Sequence, residues 1–297
     1  MPKYRKLISL FAVLILSGAV SFAQTASDEG NKPSEEENQA NKSFNTGNEF
    51  LKKGQTNEAI KEYENAIKLF PKAARFYYNA AIAYKKNNNF DKAIEYLKKG
   101  IEVEPSFPPT YASLGKIYDQ LGKTSEAVSI FEKGIEAVPG EVDNYVGIGK
   151  AYITAKQYSK GIPQLKKAIE VDPKEKFGYY YLGICLKESG DAALSVDYFK
   201  KAIDVDKSDD DLYFRLASAY NEIGEHEKAI EAAKKSIDLK KGAVTRKGAN
   251  YFELGVAYKK LGKNKEAIDA FGNAKKDGTW ARSADYEIDR IKKQMQE

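Results

Sequence analysis

The chain has 297 residues, of which 42% are apolar and 31% are charged, so it can bury a large core. Its formal net charge of +5 is the difference between 48 basic and 43 acidic side chains, and this weak basicity argues against nucleic-acid binding. A single cysteine and a single histidine exclude an internal disulfide framework and a Cys/His metal site, and no cofactor is expected.

The first 23 residues have the pattern of a secretory signal peptide. A basic start precedes an apolar run from Leu7 to Val20, and the small residues Ser21 and Ala23 mark a cleavage site before Gln24. The run is shorter than most membrane spans, so no stable membrane segment is expected after cleavage. We therefore expect an exported, periplasmic protein; a secreted protein or an uncleaved signal anchor is the alternative.

Residues 24–41 are predicted to form an acidic, disordered linker. Five acidic side chains stand against one lysine, and Ser, Asn and Gln make up much of the remainder. A segment with so few apolar residues cannot bury enough surface to offset the entropy that ordering its backbone would cost. The ordered part of the chain is therefore expected to begin at residue 42.

From residue 42 to residue 280 the sequence repeats every 34 residues. Each period contains apolar residues at three- and four-residue steps, which predicts two short amphipathic helices per unit. Glycines such as Gly122 end the first helix, and prolines such as Pro139 end the second. Small residues that let the helices approach closely recur at Gly47, Ala81, Gly115, Gly149, Gly183, Ala217 and Gly255. Neither helix can bury its apolar stripe alone, so the units must stack.

The pattern resembles the tetratricopeptide repeat family, and the resemblance covers nearly the whole chain after the linker. It is most complete in the third unit, with the motif positions occupied by Tyr111, Leu114, Gly115, Tyr118, Ala127, Phe131, Gly134 and Pro139. The resemblance implies an all-α fold, a right-handed α-solenoid of seven helix-turn-helix repeats. The units are expected to start near residues 40, 74, 108, 142, 176, 210 and 248.

Residues 281–297 are predicted to form a capping helix. Ala284, Ile288, Ile291 and Met295 fall on one face of such a helix, and charged residues fall on the rest. A solenoid needs a final element that covers the apolar face of its last unit. The alternative is an amphipathic helix that binds a partner.

The spacing between the sixth and seventh units is four residues longer than the period. The extra segment, residues 240–248, contains Lys240, Lys241, Arg246 and Lys247. A longer solvated turn is the favoured interpretation, because runs of charge usually face water. A basic loop that docks an acidic partner is the alternative.

No motif for catalysis is recognisable, and the protein is not expected to be an enzyme. His226 occupies the repeat position of Phe90 and Tyr158, so a packing role is favoured over base chemistry. Cys185 occupies a position where other units have alanine, so we expect a buried and unreactive thiol. The aspartates within residues 204–211 lack the central glycine of a calcium loop, and helix capping with favourable placement at the helix dipole explains them.

In the family that this sequence resembles, the second, fifth, ninth, twelfth and thirteenth positions of each unit line a concave groove. The fifth position is apolar in all seven units and aromatic in five of them. An apolar strip edged by lysines suits a peptide or an amphipathic helix of a partner protein. The candidate groove residues are Phe44, Asn48, Tyr78, Ile82, Lys85, Lys116, Lys150, Tyr180, Ile184, Phe214, Phe252, Val256 and Lys259. The alternative is that neighbouring units bury part of this strip.

Family members that hold the carboxylate terminus of chaperones use cations and asparagines at five groove positions. The first three units supply both asparagines, Asn48 and Asn79, but the positions of the cations are occupied by Phe44, Pro109 and Ser113. Because those cations make the charge-assisted hydrogen bonds to the carboxylate, a chaperone adaptor is not expected.

The sequence therefore predicts a non-catalytic scaffold of the cell envelope that binds a peptide or helical segment of a partner protein in its concave groove and aids complex assembly. The alternative is a periplasmic ligand-binding component that cooperates with a transporter and holds a small apolar molecule in the aromatic groove. The sequence leaves open whether the chain forms a homodimer.

Overall fold

The structure is a computed structural model that describes residues 33–242, 244 and 247–296. The predicted signal peptide, residues 1–23, lies outside the described residues. Within them the chain forms fifteen helices and no strand. The helices are α1 (Glu35–Lys52), α2 (Thr56–Leu69), α3 (Ala74–Lys86), α4 (Phe90–Val103), α5 (Pro108–Gln120), α6 (Thr124–Ala137), α7 (Val142–Thr154), α8 (Tyr158–Val171), α9 (Lys176–Glu188), α10 (Ala192–Val205), α11 (Asp210–Glu222), α12 (His226–Leu239), α13 (Gly248–Lys260), α14 (Asn264–Ala274) and α15 (Ala281–Gln294). None of these helices is long and apolar enough to cross a membrane.

The helices pack in sequential pairs. Each odd-numbered helix from α1 to α13 lies against the even-numbered helix that follows it, and each pair lies against the next. Neighbouring odd-numbered helices also contact each other from α3 to α13, and we call the odd-numbered helices α1 to α13 the inner layer. The first helices of units two to seven begin at the predicted unit starts. The prediction of an all-α solenoid of helix pairs is therefore confirmed.

Small residues of the inner layer make room for large side chains of the partner helices. Gly115 on α5 lies so close to the Phe131 ring of α6 that a Cβ at Gly115 would stand 2.5 Å from Cε1 of the ring. Gly147 on α7 approaches the same ring from the next unit, and a Cβ there would stand 2.4 Å from Cε1. Phe131 is buried between the two glycines. These close approaches set how tightly neighbouring pairs stack.

The turn inside each unit uses a residue in the left-handed region. Gly122 and Gly190 have φ values of 70° and 92°, where a glycine carries no steric cost. Two units use other residues at the same turn, with Asn88 at φ 58° and Lys156 at φ 56°. Because lysine, unlike asparagine, is seldom found in this region, backbone strain is located at Lys156.

The first helix begins earlier than the sequence suggested. α1 starts at Glu35, and the hydroxyl of Ser34 accepts a hydrogen bond of 3.1 Å from a backbone amide of the first turn. The glutamates of that turn complement the positive end of the helix dipole. Ala40 is fully buried in a cluster with Phe76. The prediction of a disordered linker is therefore corrected for residues 35–41, which belong to α1, and residues 24–32 of the predicted linker lie outside the described residues.

The last helix covers the apolar end of the array. Ala284 and Ile291 of α15 are fully buried in a cluster with Phe271 of α14. This arrangement is that of a cap on the last helix pair. Met295 was predicted on the buried face but is 53% exposed, because it follows the end of the helix at Gln294.

Two lysines of the segment between α12 and α13 bind groups on the preceding helices α11 and α12. Lys240 Nζ lies 3.4 Å from Oδ2 of Asp210, and Lys247 Nζ donates a hydrogen bond of 2.7 Å to the carbonyl of Ile237. Two of the four cations in residues 240–248 therefore serve the fold, which favours a longer turn over a docking loop. Arg246 lies outside the described residues.

Candidate functional site

The inner layer carries all the candidate groove residues, and the rings at its two ends pack into the core. Phe44 on α1 lies 5.1 Å from Phe76, measured between ring centroids. The ring centroids of Phe252 on α13 and Trp280 lie 4.9 Å apart. At both ends neighbouring side chains therefore bury part of the aromatic strip, which is the alternative that the sequence left open.

Four further candidates offer limited surface to a partner. Ile184 on α9 is only 9% exposed and belongs to a core cluster with residues of α10 and α11, so its predicted place in the groove is corrected. Asn48 accepts a hydrogen bond of 2.8 Å from the Tyr63 hydroxyl. Val256 packs against the cluster that α15 covers, and Ile82 is half-buried. These four side chains make contacts within the protein, so only part of their surface is available to a partner.

The groove opens at units two to four. Tyr78 on α3 meets Phe107 edge to face, with 5.9 Å between ring centroids. Both rings, together with Ala112, line a surface depression of about 490 Å³. Lys116 Nζ and Asp143 Oδ2 lie 2.8 Å apart and form its polar edge. Since both side chains are half-exposed, this ion pair contributes at most about 1 kcal/mol and leaves both charges accessible to a partner.

The predicted lysines pair with acids on neighbouring helices. Lys150 Nζ on α7 lies 3.7 Å from Oδ2 of Asp119 on α5. Lys259 on α13 forms an ion pair with Glu287 on α15. Lys85 on α3 is half-buried. The groove therefore carries mixed charge, and the lysine positions alone do not reveal this because the acids that face Lys150 and Lys259 come from other helices.

Units five and six contribute a dense group of aromatic and charged side chains. The Tyr180 hydroxyl on α9 donates a hydrogen bond of 2.5 Å to Oδ2 of Asp211 on α11. Burial raises the pKa of Tyr180 well above its usual range, and the hydrogen bond to Asp211 adds to the rise. Arg215 Nε lies 3.5 Å from the same carboxylate, and the guanidinium stands over the Phe214 ring at 5.4 Å. The structure thus brings two predicted rings, Tyr180 and Phe214, to one charged cluster.

Two aromatic residues that the sequence analysis did not single out complete this group. Phe177 on α9 is 47% exposed, and its ring stacks on Tyr181 with 5.9 Å between centroids. Tyr181 in turn meets Tyr180 edge to face at 5.0 Å. Phe177 occupies the second position of its unit, which the resemblance had already placed in the groove. The position of Phe177 in its unit is therefore the sequence signal that places this ring beside the groove.

The lone thiol does not belong to the groove. Cys185 is fully buried, and burial raises the pKa of its thiol to about 12. Its Sγ lies against α8, where a Cβ on Gly161 would stand 3.1 Å away. The predicted burial of Cys185 is confirmed, and its reactive thiolate form is scarce at neutral pH.

The aspartates between units five and six cap a helix and bind a lysine. Asp209 is the N-cap of α11, and its side chain accepts a hydrogen bond of 3.1 Å from the Asp211 amide. Lys176 Nζ lies 3.0 Å from Oδ2 of Asp206 and 2.8 Å from Oδ2 of Asp209. Among the residues that the structure describes, no group of His, Cys, Asp and Glu side chains is placed to hold a metal ion.

The stacked helix pairs and their inner layer define an α-helical repeat protein. Family models described as tetratricopeptide repeat match residues 74–107, 108–139, 142–175, 178–209, 198–231 and 249–276, and a model described as TPR repeat matches residues 47–88. Together these matches cover more than half of the sequence. The chain belongs to the tetratricopeptide repeat family, and this membership gives it a role in protein interaction.

Individual relatives are similar over part or most of the chain. The Hsp70-Hsp90 organising protein of Plasmodium falciparum (isolate 3D7) is 44% identical over 46 residues, which span 16% of this chain and 8% of that protein. The solved structure of MamA protein is 28% identical with a TM-score of 0.51, covering 59% of this chain and 94% of that one. A tetratricopeptide repeat protein from Parabacteroides merdae ATCC 43184 is 16% identical with a TM-score of 0.60, covering 86% and 99%. This last likeness shows the fold alone.

Proposed function

We propose that the chain is a non-catalytic scaffold that holds a peptide or helical segment of a partner protein in the groove of its inner layer. The observation that carries the proposal is the row of apolar side chains at the fifth position, with half-buried rings at Tyr78 on α3, Tyr180 on α9 and Phe214 on α11 and the smaller Ala112 and Val146 on the two helices between Tyr78 and Tyr180. Aromatic anchors with polar groups at their edge are the usual energetic centre of a protein interface.

The length of this row favours a peptide over a small molecule. From Tyr78 to Phe214 the row crosses four steps between inner helices, each about 10 Å, so it is about 40 Å long. An extended chain rises about 3.3 Å per residue, and about twelve residues would span the row. A small apolar molecule, as in the alternative of a ligand-binding component for a transporter, would touch one or two of these rings.

We propose the cell envelope as the place of action, with the scaffold helping to assemble or organise a complex there. The support is the signal-peptide pattern of residues 1–23, which lies outside the described residues. Detection of the mature chain in a periplasmic fraction, with its N-terminus at Gln24, is the direct measurement. A chain that stays in the cytosolic fraction would contradict this part of the proposal.

The groove is tested by removing two of its rings together. Tyr180→Ala with Phe214→Ala is expected to weaken partner binding at least about tenfold, because buried aromatic anchors dominate interface energetics. The measurement is quantitative capture of cross-linked partners from envelope extracts on the tagged full chain. Tyr286→Ala is the control, since this ring on α15 is exposed outside the inner layer and its loss should leave capture unchanged.

Folding must be checked in the double variant by circular dichroism and melting temperature. A folded double variant that captures the same partner as the unaltered chain would contradict the groove as the binding surface. If native mass spectra show one small molecule bound per chain and no protein partner is captured, this result would contradict the scaffold function and favour the ligand-binding alternative.

A further inference from the structure

A basic depression lies where the capping helix α15 meets α13, the last helix of the inner layer. Its volume is about 440 Å³, which falls within the range of about 300–1,000 Å³ that is usual for ligand pockets. It is lined by Val256, Lys259 and Lys260 of α13 and by Glu287, Arg290 and Gln294 of α15. Three cationic side chains and one carboxylate give this lining a net charge of +2.

The single carboxylate of the depression is already engaged. Glu287 forms an ion pair with Lys259, and the two side chains are only 18% and 20% exposed. Nη1 of Arg290 lies 3.9 Å from Oε1 of Glu287, which is longer than a hydrogen bond. Glu287 therefore holds Lys259 in place but does not neutralise the other two cations.

The other two cations are open to a ligand. Lys260 is exposed, and among the described residues no acid pairs with it. Arg290 is 48% exposed, and its guanidinium stands 5.6 Å from the centroid of the Tyr286 ring. An exposed contact of this kind is weak and uses none of the N–H donors of the guanidinium. Both cations therefore retain donors for a group that enters the depression.

The depression continues the groove. Val256, Lys259 and Lys260 occupy the ninth, twelfth and thirteenth positions of their unit, which the resemblance places in the groove. Their helix, α13, lies against α11, whose Phe214 ends the row at the fifth position. One helix step of about 10 Å and one turn along the helix separate Phe214 from Val256, which combine to about 12 Å. About four residues of extended chain cover that distance, so a segment bound along the row can reach the depression.

We propose that this depression takes an aspartate or glutamate side chain of the partner segment bound in the groove, with Lys260 and Arg290 as its cationic contacts. Ammonium and guanidinium groups donate charge-assisted hydrogen bonds to a carboxylate, and the planar guanidinium can donate to both carboxylate oxygens at once. The inference rests on the proposed function, which it extends by naming the chemistry of the partner segment. That segment carries an acidic residue about four residues from the apolar residue that meets Phe214.

The first experiment asks which peptides the groove selects. A phage-displayed library of random twelve-residue peptides is panned on the immobilised full chain and on its variant with Lys260→Gln and Arg290→Gln. Each displayed peptide is joined to the coat protein at its C-terminus, so it offers no terminal carboxylate and is selected by its side chains. We expect the unaltered chain to enrich peptides with an acidic residue about four residues from an apolar one. The double variant should lose the enrichment of acidic residues and keep that of apolar residues.

The second experiment measures the coupling between the acidic residue and the two cations. Fluorescence anisotropy gives the Kd of one enriched peptide and of its glutamate-to-glutamine analogue on both proteins, and both peptides end in an amide. On the unaltered chain the analogue should bind at least about fivefold more weakly, because it loses two ion pairs that water screens in part. On the double variant the two peptides should bind within about twofold of each other, which is the pattern of a double-mutant cycle between contacting groups.

Lys265→Gln with Lys292→Gln is the matched control. These substitutions remove the same two positive charges from exposed positions on α14 and α15 that do not line the depression. We expect the control to keep the preference for the glutamate peptide within about twofold of its value on the unaltered chain, since charges outside the contact are screened by salt. A melting temperature equal to that of the unaltered chain shows that either variant is folded.

The outcomes separate the inference from the proposed function. Enriched peptides without acidic residues, or a preference for glutamate that survives the loss of Lys260 and Arg290, would overturn the subsite and leave the scaffold in place. An equal loss in the control would also overturn it, because the preference would then come from the net charge of the chain. If no peptide is enriched, the subsite is overturned too, and the proposed function fails with it if the two-ring variant of the groove captures partners normally.

Discussion

The ring of Phe131 gives a test of how the units are held together. Phe131→Ala removes a buried ring, and comparable substitutions cost about 3–5 kcal/mol. Gly115→Ala alone places a Cβ 2.5 Å from that ring, so the overpacking strain should lie near the upper end of about 1–3 kcal/mol. This strain is larger than the gain of about 1 kcal/mol from replacing a glycine inside a helix. In the Phe131→Ala background the strain disappears, and Gly115→Ala should then stabilise by about 1 kcal/mol.

The sign of the Gly115→Ala effect therefore reverses with the residue at position 131. Urea unfolding followed by far-ultraviolet circular dichroism on the four proteins of this cycle gives the free energies of unfolding. Because stacked repeats contact only their neighbours, part of the array can unfold separately from the rest. The dependence of the unfolding free energy on urea concentration must therefore be the same in all four proteins, which shows that the same structure unfolds in each. Gly115→Ala that destabilises both backgrounds equally would refute the idea that the glycine is required by the ring.

Three other properties follow from the structure. Lys156→Gly should stabilise by about 0.5–1 kcal/mol in urea unfolding, because glycine relieves the strain at φ 56°; no change would place the strain elsewhere. Cys185 should react with a thiol reagent at least about a hundredfold more slowly in the folded chain than in urea, because burial raises the pKa of its thiol to about 12. Equal reaction rates in the two states would contradict the burial of this thiol. Hydrogen bonds from Ser208 and then Lys176 lower the pKa of Asp206 to about 2, below the unfolded value of about 4. The stability from Asp206 is therefore present above pH 4 and lost as the pH falls toward 2, and Asp206→Asn should lose less stability over that window in urea unfolding.

The regular part of the fold could be predicted because it depends on residues close in sequence. In six of the seven units the 34-residue period places a small residue such as Gly115 opposite a large apolar one such as Phe131 or Leu165, and this pattern requires stacked helix pairs. The start of α1 could not be placed in this way. Its glutamates suggest disorder by composition, yet Ser34 and the buried Ala40 use the same stretch as a capped, packed helix.

The candidate groove could be predicted only in part, because its composition depends on how neighbouring units are turned. The periodic strip included Tyr180 and Phe214, which the structure links through Asp211 and Arg215, but it also included Ile184, which the stacking of units five and six buries. The Tyr180 hydroxyl on α9 bonds to Asp211 on α11, which joins neighbouring units. Such a contact depends on how the units stack, which the residues of one unit do not encode.

The Phe131 ring has a mechanical consequence as well. It is held by Gly115 of its own unit and by Gly147 of the next, so units three and four share one rigid contact. If the two ends of the chain are pulled apart, units three and four can separate only when the Phe131 ring leaves Gly147, and the apolar surface that this exposes to water opposes the separation.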